Sequence, residues 1–248
     1  MRIGVIQTGR VRGDLAQRHG EYPAMMEALI GPHAPGMRFE TVALVDGADL
    51  PAPESFDGYV ITGSRHGVYD ADVPWIGPLK EWLRAVRAAG RPIVGICFGH
   101  QILAEAFGGR AVKHEGGWRL GPHEFEVAAR PRWAADAPER LRLHSMHQDQ
   151  VVAVPQDAQV WATAPGCVYA GLTYGDPDAP DAVSIQPHPE MNAAFKRDLT
   201  QHLHDEARVP EALARAALDS IGAPVDNAAV GAMFARYLRA VAEARGPA

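Results

Sequence analysis

Pro92-Ile93-Val94-Gly95-Ile96-Cys97-Phe98-Gly99-His100-Gln101 is the stretch on which the reading of the fold turns. Its apolar opening, Pro92 to Ile96, predicts a strand buried on both faces, and Ile102 to Phe107 beyond it predicts a helix. A sharp strand-to-helix turn has no room for side chains two residues either side of its apex. Glycine at 95 and 99 therefore marks Cys97 as the apex of an elbow. Such an elbow aims its apex residue at the carboxyl edge of a parallel sheet, where ligands of open sheets bind. It also sets the sulfur near the positive end of the next helix, which favours a thiolate. The competing reading is a small buried hydrophobe, a frequent fate of free cysteine.

Outward from the elbow, strand-like runs alternate with helical stretches. Ile3 to Gln7, Phe39 to Val45 and Tyr59 to Thr62 read as further strands. Glu21 to Ile30 and Trp75 to Ala89 read as helices, the second with Trp75, Leu79, Trp82, Leu83 and Val86 at helical spacing and Gly90 as its stop. That alternation predicts an α/β fold with three layers, a mostly parallel central sheet between helices. Past Gly108 short strands separated by turn residues (Ala111 to Lys113, His123 to Ala128, Val151 to Val154, Val160 to Ala164, Val168 to Leu172) predict an antiparallel extension. From Met191 the chain reads as helical, broken by Pro210 and Pro224 before a last run from Ala228 to Arg245. Residues 1–192 are expected to form the main domain and 193–248 a helical extension. That extension either packs on the domain, pairs two subunits as a homodimer or closes the pocket.

With 248 residues, 47% of them hydrophobic, the chain can bury a full core. Its 24 basic and 30 acidic residues leave a net charge of −6, which provides no global field for a polyanion and argues against a nucleic-acid partner. No apolar run approaches the roughly 20 residues of a membrane helix, and Met1 to Gln7 lacks the pattern of a signal peptide. Two cysteines, Cys97 and Cys167, do not make a disulfide framework, so a cytoplasmic setting is expected. Cys167 has no partner motif and reads as packing. Neither His144 with His147 nor His202 with His204 has acidic or cysteine companions at ligand spacing, and no metal or cofactor is expected. The scarcity of lysine, present only as Lys80, Lys113 and Lys196, reads as compositional bias.

A cysteine nucleophile needs a base, and the base needs a group to hold its tautomer. Gln186-Pro187-His188-Pro189-Glu190 offers both. In extended backbone, residues two apart point the same way about 6.5 Å from each other, and the flanking prolines disfavour helix. His188 and Glu190 thus form a candidate pair for Cys97.

Four motifs in this order resemble the class I, triad-type glutamine amidotransferases, most closely the stand-alone members similar to the glutaminase portion of GMP synthase. They are Thr62-Gly63-Ser64, the Gly95 to Gln101 elbow, Ser145-Met146-His147-Gln148-Asp149-Gln150-Val151 and Gln186 to Glu190. The resemblance spans roughly residues 40 to 192 and implies a flavodoxin-like fold. It implies Cys97 as nucleophile, His188 as base and Glu190 as its orienter. It further implies an oxyanion hole from the backbone N–H groups of Ser64 and Phe98, and Gly63, Gln101, Gln148 and Asp149 beside the substrate. Ser64 stands where the family usually has a second glycine, and the loop Arg65 to Asp70 with Asp72 to Trp75 resembles the stand-alone subgroup. The implied reaction is hydrolysis of the glutamine γ-amide through a thioester, with ammonia passed to a synthase in trans. The alternative is a γ-glutamyl peptide hydrolase or transferase using the same residues. A third reading is a binding protein whose oxyanion hole does not form.

Overall fold

The computed structural model describes residues 1–243. Its first half runs β1 (Arg2–Ile6), α1 (Gly13–His19), α2 (Tyr22–Ile30), β2 (Arg38–Val42), β3 (Gly58–Ile61), α3 (Ile76–Ala88), β4 (Ile93–Ile96) and α4 (Phe98–Ala106). There follow β5 (Arg110–Lys113), β6 (Arg119–Val127), β7 (Arg140–His147), β8 (Asp149–Ala153), β9 (Ala158–Ala164), β10 (Cys167–Tyr174) and β11 (Ala182–Ile185). Three helices end the described chain, α5 (Ala193–Asp205), α6 (Glu211–Ser220) and α7 (Asn227–Glu243). Residues 244 and 245 of the expected last helical run lie outside the described residues.

Nine strands form one sheet in the order β2-β1-β3-β4-β11-β10-β9-β6-β7. The five from β2 to β11 are parallel, and the rest continue antiparallel from β11. β5 and β8 pair separately. Side chains alternate through the parallel half. Ile3, Val5, Val60, Val94 and Ile96 face one layer with α2 and α7. Ile6, Tyr59, Ile61 and Ile93 face the other with α3 and α4. Period-two alternation between two helical layers explains why both faces of these strands are apolar.

The strand reading missed two members. β11 is four residues long and lies between Pro180 and Pro187, so its signal is hidden among turn residues, yet it sits beside β4 at the centre of the sheet. β7 carries Leu141 and Leu143 in alternation with arginines and ends at His147, inside the quoted Ser145 motif. The seven-residue helix α1 was also missed; Leu15 is its one buried residue. The apolar run of α7 finds its partner surface within the chain: Val230, Met233, Phe234 and Leu238 are buried on the sheet, and the Tyr237 hydroxyl donates to Asp181 O at 2.8 Å and accepts from Ile93 N at 3.2 Å. α5 and α6 pack with Val11, Leu15, Leu120 and Met146 in a third cluster.

Candidate active site

Cys97 follows the last residue of β4 and takes φ 56° and ψ −102°, the left-handed side that a residue with a Cβ rarely adopts. Its N–H donates to Ile185 O at 2.9 Å, which ties the elbow to β11. A Cβ at Gly95 would lie 2.5 Å from Gly99 O, and one at Gly99 would collide with Ile61 O. The demand for glycine at both positions is therefore steric, and backbone strain is concentrated on the sulfur-bearing residue.

β11 ends one residue before Gln186, and the extended Pro187 to Glu190 segment carries the candidate pair. His188 N–H donates to His144 O at 2.8 Å, and the His188 Nδ1 and Glu190 Oε1 atoms are 2.7 Å apart, both side chains buried. Burial pulls the imidazole pKa down, but the negative charges of Cys97 and Glu190 outweigh it and raise it to about 10. Cys97 and His188 meet over Gly63: an added Cβ there would lie 3.3 Å from His188 Cε1 and 3.8 Å from Cys97 Cβ. Glycine at 63 thus leaves the space in which the two groups face each other.

A cavity of about 280 Å³ opens beside this point. Gly63, Ser64, Cys97, Gln101, Gln148, Asp149 and His188 line it, so seven of the nine residues singled out from sequence share one concave wall. Phe98 and Glu190 do not line it. The Phe98 ring turns into the core, edge-on to Trp75 at 5.6 Å, while its N–H opens α4, where helical amides have no intrahelical acceptor. Glu190 lies behind the imidazole. Gln101 Nε2 donates to Asp149 O at 3.0 Å and to Gln186 Oε1 at 3.1 Å, bracing the wall. Asp149 accepts from the Tyr69 hydroxyl at 2.8 Å, and burial raises its pKa. Ser64 Oγ accepts from His66 N at 3.2 Å, so the hydroxyl that replaces the family's glycine is engaged in its own turn.

Other histidines of the region, His100, His144 and His147, are buried. His100 bonds Ser184 Oγ at 2.8 Å and burial lowers its pKa to about 3; His144 is likewise lowered by burial, to about 4. His147 contacts Asp149 O at 3.1 Å, and burial pulls it well below the ordinary range. Among the described residues no cluster of three or more His, Cys, Asp or Glu is placed to hold a metal. Cys167 is buried in the sheet core, where burial raises its thiol pKa to about 12. A wider depression of about 630 Å³ around Arg84, Arg87 and Phe107 holds no nucleophile.

Sequence reading missed Lys196. Its side chain is fully buried, donates to Ser145 O at 3.0 Å, and burial lowers its pKa to about 7 against the opposing pull of Glu190 and Cys97. Lys196, Leu199 and Leu203 stand at i, i+3 and i+7 on the buried face of α5, but a lysine in that register does not by itself announce burial. It also missed Tyr69, and the wall contributed by Arg10, Arg12, Tyr22 and Arg208, which belongs to segments far apart in the chain.

Comparison with known proteins gives the family. The family model described as glutamine amidotransferase class-I matches residues 42–200. Gamma-glutamyl peptidase 4 of Arabidopsis thaliana is 30% identical over 189 residues, covering 73% of this chain and 72% of that protein. A glutamine-hydrolyzing GMP synthase subunit of Halobacterium salinarum is 32% identical over 178 residues, covering 71% of this chain and 87% of that protein. The crystal structure of a glutamine amidotransferase from Thermotoga maritima superposes with a TM-score of 0.76 at 20% identity, covering 98% of each chain. With an elbow cysteine between glycines, a buried His and Glu pair facing it, and a family match over more than half its length, the chain belongs to the class I glutamine amidotransferase family.

Proposed function

We propose that the chain hydrolyses a γ-glutamyl amide, glutamine in the family's usual form, through a thioester on Cys97. The observation that carries this reading is the meeting of Cys97 and His188 over Gly63, with Glu190 bonded to the far side of the imidazole. The Cys97 thiolate attacks the amide carbon and a C–S bond forms. Backbone N–H groups of Ser64 and Phe98 hold the oxyanion, each worth ~3 kcal/mol of barrier where such donors have been removed. The His188 imidazolium gives its proton to the departing amine as the C–N bond breaks. A water then loses its proton to the neutral imidazole, adds to the thioester carbon and expels the thiolate, returning glutamate. Glu190 holds the imidazole in its tautomer and stabilises its charge without taking the proton. Gln101, Gln148 and Asp149 border the glutamyl group.

The relative named as one subunit of a glutamine-hydrolyzing GMP synthase supports a partner that consumes the ammonia, and the cytoplasm is the setting in which a free thiol of this kind works. Among the described residues no helix is long and apolar enough to cross a membrane. Cys97→Ala should lower glutamate release by about a thousandfold or more, as loss of a nucleophile does in triad enzymes, with circular dichroism unchanged. Hydrolysis undiminished in that variant sinks the assignment.

A further inference from the structure

At about 280 Å³ the cavity beside the nucleophile is larger than release of ammonia requires. Gln101, Gln148 and Asp149 make one part. Another part is lined by Tyr22, Trp118, Met146, Met191, Leu199 and Leu203, which belong to one apolar cluster whose Met191 N–H donates to His188 O at 3.4 Å, and Arg10, Arg12 and Arg208 line the cavity as well. Arg10, Arg12, Tyr22, Leu203 and Arg208 fall outside the segment that matches the family model, so the chain's ends complete a wall whose other members, Trp118, Met146, Met191 and Leu199, lie within it.

This part is rigid. Arg12 Nη1 is 2.8 Å from Glu206 Oε2, His19 Nε2 is 2.7 Å from Asp198 Oδ2, and Arg18 pairs with the same aspartate, so the 12–19 segment is clamped to α5. Its charges are unequal. Arg10 is matched by Glu21 and Asp46 and Arg12 by Glu206, but Arg208 has no carboxylate in ion-pairing range among the described residues. Arg208 follows Ala207, which sits at φ 53°. Cys97 and Ala207 are the two non-glycine residues with positive φ among those described. The left-handed turn, closed by Arg208 N donating to Leu203 O at 2.9 Å, brings Arg208 back to the cavity. Left-handed backbone at a residue other than glycine is strained and persists where the surroundings impose it.

We propose that this part is a leaving-amine subsite, and that the preferred substrate is a γ-glutamyl amino acid whose released amine carries an apolar side chain and a free carboxylate, read by Arg208. The inference rests on the thioester reading above. Cys97 Sγ bonds to the γ-carbonyl carbon, the C–N bond breaks, and the His188 proton goes to the nitrogen of the departing amino acid. That nitrogen must leave on the imidazole side, where Met191, Leu199 and Leu203 can cover an apolar side chain. Water then cleaves the thioester as before, and the products are glutamate and the free amino acid. Ammonia has neither a side chain nor a carboxylate and leaves this wall unused.

The test compares kcat/KM for glutamine, γ-glutamyl-leucine and γ-glutamyl-leucinamide, the last lacking the carboxylate. γ-Glutamyl-leucine is expected to exceed both by about tenfold or more, the scale of a charge-assisted hydrogen bond or a filled apolar pocket. In Arg208→Met its advantage over the leucinamide should fall to near unity, and Arg208→Lys should retain part of it. Glutamine cleaved as fast as γ-glutamyl-leucine, or an acid-to-amide ratio unmoved in Arg208→Met, overturns the subsite and leaves the thioester reading standing. Glutamate release from none of the three overturns both.

Discussion

At Cys97 one residue is the proposed nucleophile and bears the strained backbone, and the glycines around it exist because the apex cannot turn otherwise. Its electrical partner is His188, whose pKa lies near 10 because the charges of Cys97 and Glu190 outweigh burial. The sign of the linkage follows. A folded pKa above the ordinary 6.5 means that the charged imidazole stabilises the fold fully below pH 6.5, and that this contribution is lost as pH rises through about 10. In an NMR titration His188 should therefore keep its charge well above neutrality in the wild type and shift downward in Cys97→Ala. A midpoint near 6.5 in both proteins contradicts the charge pairing. These residues were legible in the sequence because their chemistry is local, a cysteine between glycines and a histidine between prolines. Lys196 was not, because burial of a lysine depends on which helix face meets the core, and only packing decides that.

The elements that carry these residues were legible where their periodicity was long and apolar. α3 shows this in Leu79, Leu83 and Val86, and the parallel strands β1, β3 and β4 show it in their two-sided burial. β11 was not, since four residues between prolines are too few for a periodic signal, although the sheet needs it to deliver His188 beside Cys97. α5 is the element on which the leaving-amine wall depends. Asn192 caps it, its Oδ1 accepting from Phe195 N at 2.9 Å. Asn192→Ala should cost about 1 kcal/mol of stability in urea unfolding. Unchanged stability would show that α5 is held by its apolar face alone.

In the whole molecule the ends of the chain complete what its middle begins. The matched segment, 42–200, contains the elbow and the His and Glu pair. β1 joins the parallel sheet, the 10–22 segment and α5 wall the cavity, and α7 covers the sheet face opposite α3 and α4. Three layers were expected from the alternation of strands and helices. The burial of α7 against its own chain was one of three options left open, because an amphipathic run shows that a partner surface exists without showing whose it is. The net charge of −6 is that of the whole chain, whereas the cavity is bordered by five arginine and lysine residues and two aspartates. A bulk property thus gave no guide to the site.

The molecule also offers two thiols for comparison, one at the elbow and one, Cys167, buried in the core, where burial pushes its pKa up to about 12. Treatment with a glutamine-mimicking chloroketone, followed by intact-mass measurement and peptide mapping, asks directly which sulfur attacks a γ-glutamyl carbon. The account predicts a single adduct on the peptide carrying Cys97, suppressed by excess glutamine or γ-glutamyl-leucine. An adduct on Cys167, or none at all, would contradict it.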